Sequence, residues 1–168
     1  QETSETVSTT LKESPPVLNG FSGSVDSYQD IDYIIQALDK YGGNCYRIAF
    51  NPVWTKGSRP WEKSYTYGPS GIDKINYFLE NCDYYIIVDR NHFTDNIPLP
   101  YDDPYSNMDW VQIEKSIFDD VLANFGNNPR VIIEIVNEYP HYDLYQYCEN
   151  IVQKIRAAGY TNQIIVNK

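Results

Sequence analysis

Basic residues, cysteines and long apolar segments are all scarce in this sequence of 168 residues. Lysine and arginine number 13 against 23 aspartates and glutamates, which gives a formal net charge of −10. Nucleic acids and anionic membrane surfaces are bound mainly through lysine and arginine, so this balance argues against either partner. No apolar run approaches the roughly 18–20 residues that a membrane span requires.

Cysteine occurs three times, at Cys45, Cys82 and Cys148, and no C-x-x-C or H-x-x-x-H spacing is present. The spacing argues against a structural zinc site, and we expect neither a metal ion nor an organic cofactor. The odd number leaves at least one free thiol. Buried, apolar cysteines are therefore favoured over a disulfide framework.

Aromatic residues are abundant, with 16 Tyr, 6 Phe and 3 Trp making up 15% of the chain. Aromatic faces suit sugar rings but also fill ordinary cores, so this abundance is compatible with both. Residues 1–16 are rich in Ser, Thr and Glu and end on two prolines, which predicts a flexible leader. Such a leader is either a tether for an extracellular domain or a disordered terminus. Because the chain opens on Gln1 rather than Met, we expect a mature or trimmed product. The acidic, tyrosine-rich composition fits a secreted, extracellular protein.

Short apolar segments alternate with segments of helical periodicity along the rest of the chain. For example, Ile31, Ile34, Ile35 and Leu38 follow the i, i+3, i+4, i+7 spacing of one helix face. Asp26 or Ser27 is predicted to cap this helix, and Gly42 to end it. The pattern predicts strands at 17–21, 44–50, 84–89, 131–137 and 164–166, and helices at 27–41, 72–81, 110–125 and 142–158.

The predicted strands are almost entirely apolar, which indicates burial on both faces and therefore a parallel α/β sheet. Two architectures fit: an open doubly wound sheet, or part of a (β/α)8 barrel. No G-x-G-x-x-G follows the first strand and no Walker loop occurs, which removes the strongest support for a nucleotide-binding open sheet. Long loops, 51–71 and 90–106, follow strand ends, as expected for an active-site face.

Polar residues stand at these strand ends. Glu138 follows an apolar strand, and partial desolvation there would raise its pKa toward that of a general acid. Asn137 beside it can donate to a substrate hydroxyl, although the pair could instead cap the next segment. His92 could contact a sugar hydroxyl or simply be solvated. Trp54 could stack on a sugar ring or pack in a loop.

Arg47 lies in the middle of a predicted buried strand and therefore requires a carboxylate partner. Glu134 is a candidate, because it shares a strand face with Glu138 by the period of two. The pair could be purely structural, could serve a substrate site, or both.

Three segments together resemble glycoside hydrolase family 5. DIDYIIQALDKYGGNCYRIAFNPV resembles the first helix and second strand, YYIIVDRNHF the third strand, and NNPRVIIEIVNEYP the fourth strand. The resemblance implies a (β/α)8 TIM-barrel type of fold, with about its first four to five βα units in residues 17–168. It also implies a retaining hydrolase of β-1,4-linked polysaccharide of the cellulose or mannan type, without a cofactor.

The resemblance also implies roles for particular residues. Glu138 matches the acid/base glutamate, and Asn137 the asparagine that holds the sugar 2-hydroxyl. Arg47 matches the strand-two arginine beneath the catalytic pair. His92 and Asn91 occupy the two positions of the substrate-contacting strand-three pair, although Asn91 replaces the usual histidine. A second departure is the tyrosine inserted between Glu138 and the following proline.

In this family the nucleophile is a second glutamate on strand seven, and retaining chemistry needs two carboxyl groups about 5–5.5 Å apart. Only one of the pair is identified here. We therefore expect the N-terminal half of a longer domain, whose partner is the missing C-terminal half or a second copy of the chain. The alternative is a non-catalytic half-barrel that binds carbohydrate or serves as a structural subunit.

Overall fold

A parallel sheet of five strands forms the centre of the structure, a computed structural model that describes residues 16–23, 25–49, 70–89, 114, 117–135 and 144–166. The strands are β1 (Gly20–Gly23), β2 (Cys45–Ala49), β3 (Tyr85–Asp89), β4 (Val131–Glu134) and β5 (Ile164–Ile165). Each strand pairs in parallel with the next one in the sequence. The predicted α/β class is confirmed.

The helices alternate with these strands. They are α1 (Tyr28–Tyr41), α2 (Gly71–Asn81), a π-helix (Ile117–Leu122) that continues into the short α3 (Ala123–Phe125), and α4 (Leu144–Ala157). α1 begins with a capping box between Ser27 and Asp30, and Gly42 ends it at a φ of 69°. Of the two predicted caps, Asp26 and Ser27, the structure has Ser27, and the predicted end of α1 at Gly42 is confirmed.

The strand order decides between the two architectures. It runs β1-β2-β3-β4-β5 without interruption, whereas a doubly wound sheet reverses its order at a switch point. The helices also pack on one face of the sheet, against a cluster to which β2, β3 and β4 each contribute. Its strand members are Tyr46, Ile48, Ile86, Val88, Val131 and Ile133, and its helix members include Ile31, Leu38, Ile75 and Phe78. The sheet is therefore a section of the wall of a (β/α)8 barrel, as predicted.

The alternate residues of each strand lie on the opposite face, which we call the inner face. Cys45, Ile87 and Ile132 form a small buried cluster there. In the strand register, Arg47 is aligned with Ile87, and the next inner row aligns Asp89 with Glu134 at the carboxyl ends of β3 and β4. The inner face thus changes from apolar to charged toward those ends.

Two predicted elements differ from the structure. The first strand is Gly20–Gly23, so it overlaps the predicted 17–21 only at residues 20–21. All four of its residues are exposed, and apolar content therefore placed the strand too early. The backbone of β1 lies very close to that of β2 at Gly20, where a Cβ would lie 1.7 Å from the carbonyl oxygen of Cys45. This close pairing with β2 identifies the strand. The helix predicted at 110–125 is present at the described positions 114 and 117–125, but its Ile117–Leu122 part is a π-helix. An apolar pattern alone does not separate i→i+5 from i→i+4 bonding.

All three cysteines fall within the described residues and are free thiols. Cys45 and Cys148 are buried and Cys82 is half-buried, which confirms the prediction of buried thiols over a disulfide framework. Among the described helices, none is long and apolar enough to cross a membrane.

Candidate active site

Arg47 lies on the inner face of β2, and its guanidinium contacts two carboxylates from two other strands. Its Nε donates to Glu134 Oε2 at 2.5 Å and its Nη2 donates to Glu134 Oε1 at 2.8 Å. The same Nη2 lies 2.9 Å from Asp89 Oδ2. The prediction that Arg47 pairs with a carboxylate, and that Glu134 supplies it, is confirmed.

Asp89 is the member of this group that the sequence prediction did not assign to the site. The prediction placed the function of this strand end in Asn91 and His92, beyond the strand. The signal that could have found it is the period of two, because Tyr85, Ile87 and Asp89 share a face. Its alignment with Glu134 depends on the register between β3 and β4, which local sequence does not reveal.

We call Arg47, Asp89 and Glu134 the charged cluster. Both carboxylates are buried, with side-chain exposures of 0% for Asp89 and 2% for Glu134, while the Arg47 side chain is 26% exposed. One guanidinium faces two carboxylates, so the three groups carry a formal charge of −1 when ionised. Buried charges of this kind require close pairing and good hydrogen-bond geometry to offset their desolvation. The two-point contact with Glu134 supplies that geometry.

The amino end of the inner face has a different character. Cys45 is buried there, and burial raises the pKa of its thiol, which keeps it protonated and a poor nucleophile near neutral pH. Within the part of the chain that the structure describes, no group of three or more His, Cys, Asp or Glu side chains could hold a metal ion. At the carboxyl ends of its strands, the described inner face presents two carboxylates and a guanidinium.

Five of the predicted site residues lie outside the described residues: Trp54, Asn91, His92, Asn137 and Glu138. Their roles stay predictions. Their places in the chain relate them to the charged cluster, since β3 ends at Asp89 and β4 ends at Glu134. Asn91 and His92 follow the first of these ends by two and three positions, and Asn137 and Glu138 follow the second by three and four.

A cleft of about 500 Å³ lies elsewhere and is lined by residues 122–130. These residues precede β4, so the cleft is at the amino end of that strand. Active sites of parallel α/β sheets form at the carboxyl ends of the strands. The charged cluster is at that end and is the better candidate.

Comparison with known proteins gives a family match and a structural match for this chain. The model of the cellulase family, glycosyl hydrolase family 5, matches residues 9–168. The catalytic domain of a mannanase from Streptomyces sp. SirexAA-E is structurally similar, with a TM-score of 0.57 and 16% sequence identity. The match covers 88% of this chain and 44% of the mannanase chain, so this chain spans less than half of that structure. The comparison with curated proteins found no match.

Proposed function

The chain belongs to glycosyl hydrolase family 5, and from this we propose that it carries the general acid/base of a retaining glycoside hydrolase. The proposed substrate is a β-1,4-linked polysaccharide of the cellulose or mannan type. The family match supports the reaction class, and the mannanase likeness supports the barrel fold in which the site would be built.

The observation that carries the proposal is the charged cluster at the carboxyl ends of β3 and β4. It joins three neighbouring strands at the edge where barrel enzymes assemble their active sites. The chain continues from these two strand ends into the segments with the proposed sugar contacts, His92 and Asn91, and with the proposed acid, Glu138. The cluster thus supports a site at that edge of the sheet.

In the proposed reaction, Glu138 donates a proton to the glycosidic oxygen while a second carboxylate attacks the anomeric carbon. The leaving sugar departs with that proton, and a covalent glycosyl-enzyme forms. Glu138 then takes a proton from water, whose oxygen displaces the enzyme carboxylate. Asn137 holds the 2-hydroxyl and Trp54 stacks on a sugar ring. We place the second carboxylate outside these 168 residues, and Arg47 supports its negative charge.

The test is Glu138→Gln in the intact protein that contains this chain, assayed on β-1,4-glucan and β-1,4-mannan. We expect turnover to fall by about 10²- to 10⁴-fold, because glutamine cannot donate or accept the proton. An aryl glycoside with a good leaving group needs no acid in the first step, so formation of its glycosyl-enzyme should be much less affected. The matched control is Glu149→Gln, which changes an exposed glutamate in α4.

Undiminished polysaccharide hydrolysis by Glu138→Gln would remove Glu138 from the mechanism. If the unaltered protein instead binds oligosaccharide in calorimetry without turnover, the hydrolase proposal fails. The non-catalytic, carbohydrate-binding role would then replace it. Localisation is a separate proposal, since the acidic composition and the Ser/Thr-rich leader support a secreted, extracellular protein.

A further inference from the structure

We propose that Asp89 and Glu134 are positioning residues that hold the Arg47 guanidinium in one orientation for catalysis. This inference rests on the proposed function, in which Arg47 supports the charge of the nucleophile. It assigns different roles to two carboxylates that lie on separate strands, Asp89 on β3 and Glu134 on β4.

Glu134 sets the plane of the guanidinium. Its two oxygens receive Nε–H and Nη2–H at 2.5 and 2.8 Å, which is the paired arrangement that a planar guanidinium and a planar carboxylate adopt. Because Nε and Nη2 are both engaged and the group is rigid, the direction of Nη1 is fixed as well. Rotation of the side chain would break two charge-assisted hydrogen bonds at once.

Asp89 adds an anchor from β3, the strand that pairs directly with β2. Its Oδ2 lies 2.9 Å from Nη2, the nitrogen that Glu134 also contacts. Asp89 is fully buried and aligned with Glu134, so its carboxylate has little freedom to follow a displaced guanidinium. The orientation of Arg47 is thereby tied to the relative positions of β2, β3 and β4.

A contribution to the stability of the fold does not by itself explain the burial of the charged cluster. Replacing a buried ion pair or triad by well-packed apolar side chains is often neutral or stabilising. The same inner face shows that apolar packing is available, since Ile87 and Ile132 occupy the row before the carboxylates. The three charged groups lie where the inner face reaches the carboxyl ends of the strands. This location supports a positioning role.

The test is a double-mutant cycle in the intact protein, with kcat and KM measured on β-1,4-glucan or β-1,4-mannan. We expect Glu134→Gln to lower kcat by about 100-fold with little change in KM, because a misplaced catalytic group costs about this much. Asp89→Asn should cost less, because Arg47 contacts both oxygens of Glu134 but a single oxygen of Asp89, and asparagine keeps one oxygen. The control Ile87→Val changes the same inner face without altering a charge and should leave kcat unchanged.

Positioning through Arg47 makes the effects non-additive. In an Arg47→Ala background, neither Glu134→Gln nor Asp89→Asn should lower kcat further. Added guanidinium should partly restore the activity of Arg47→Ala and should fail to do so once Glu134→Gln is also present. A purely structural role for the carboxylates would not produce this dependence.

The outcomes separate this inference from the function on which it rests. An unaltered protein without hydrolase activity overturns both. An active protein in which Glu134→Gln and Asp89→Asn retain normal kcat, or add their full losses to that of Arg47→Ala, overturns the positioning role alone. If Glu134→Gln does not fold, as judged by circular dichroism, the Asp89→Asn arm of the cycle decides.

Discussion

Arg130 offers the sharpest test of how the helical layer is attached to the sheet. It lies just before β4, and its guanidinium reaches the carboxyl end of α2. Its Nη1 donates to the carbonyl oxygen of Cys82, and its Nη2 donates to the carbonyl oxygen of Leu79 at 2.8 Å. The last carbonyls of a helix lack intrahelical partners, so one side chain here satisfies two of them. A positive charge at this helix end is also favourable.

Replacing Arg130 by alanine removes both hydrogen bonds. A hydrogen bond from a charged donor is worth about 1.5–3 kcal/mol. The Arg130 side chain is 26% exposed, so water can partly replace it at the carbonyls. We therefore expect Arg130→Ala to lower the free energy of unfolding by about 2–3 kcal/mol, below the sum of two full bonds. Arg130→Lys should lose about half as much, because an ammonium group lacks the forked geometry that serves both carbonyls.

Urea unfolding followed by far-ultraviolet circular dichroism measures these differences. The control is Asp83→Asn, because the Asp83 carboxylate lies 4.0 Å from Nη1 and is fully exposed. An ion pair of this kind contributes little, and no measurable change is expected. If Arg130→Ala unfolded like the unaltered protein, or if Asp83→Asn were equally destabilising, the two hydrogen bonds of Arg130 would not stabilise the fold.

Two further predictions concern glycines and alkaline pH. Gly126→Ala should destabilise the fold by about 1–3 kcal/mol, because the new Cβ would lie 2.3 Å from Tyr160 Cε1. Gly42→Ala meets no atom within 4 Å and should cost only its positive φ, about 1–2 kcal/mol; a Gly126→Ala variant that unfolded in urea like the unaltered protein would contradict the predicted clash. Burial raises the pKa of Cys148 from 9.0 to about 11 and, with a smaller effect of Asp30, that of Tyr46 from 10.0 to about 12. The folded state therefore keeps protons that the unfolded state releases, so stability should be complete below pH 9 and fall as pH rises through about 11–12. Tyr46→Phe should flatten the upper part of that decline in urea unfolding at successive pH values, and an unchanged decline would refute the assignment.

The boundaries of several elements follow from local chemistry that the sequence displays. A serine followed three residues later by an acidic residue makes the capping box that begins α1 at Ser27, and the one that begins α2 at Ser70. Gly42 ends α1 because it tolerates a positive φ. These interactions span only a few residues, so they can be predicted without knowing the fold.

For one long-range contact, the sequence also predicted the type of interaction, an ion pair between an arginine and a carboxylate. A buried arginine in a strand requires a carboxylate whatever the fold. Glu134 was a candidate because the period of two places it on the same strand face as Glu138. The structure confirms that pair across 87 positions of sequence. The period of two places Asp89 on the inner face, but its contact with Arg47 was not predictable, because that contact depends on which strands are neighbours and on how they are aligned.

Local sequence is thus sufficient to predict the alternation of strands and helices, the caps of the first two helices and the need of Arg47 for a carboxylate. Tertiary structure alone decided the unbroken strand order, the pairing of the exposed strand β1 and the meeting of three charged side chains from β2, β3 and β4. The difference lies in how far along the chain each interaction acts. Periodicity and capping act over one or two turns, whereas register and strand order come from the packing of segments about 40 residues apart, between which a single sequence carries no direct signal.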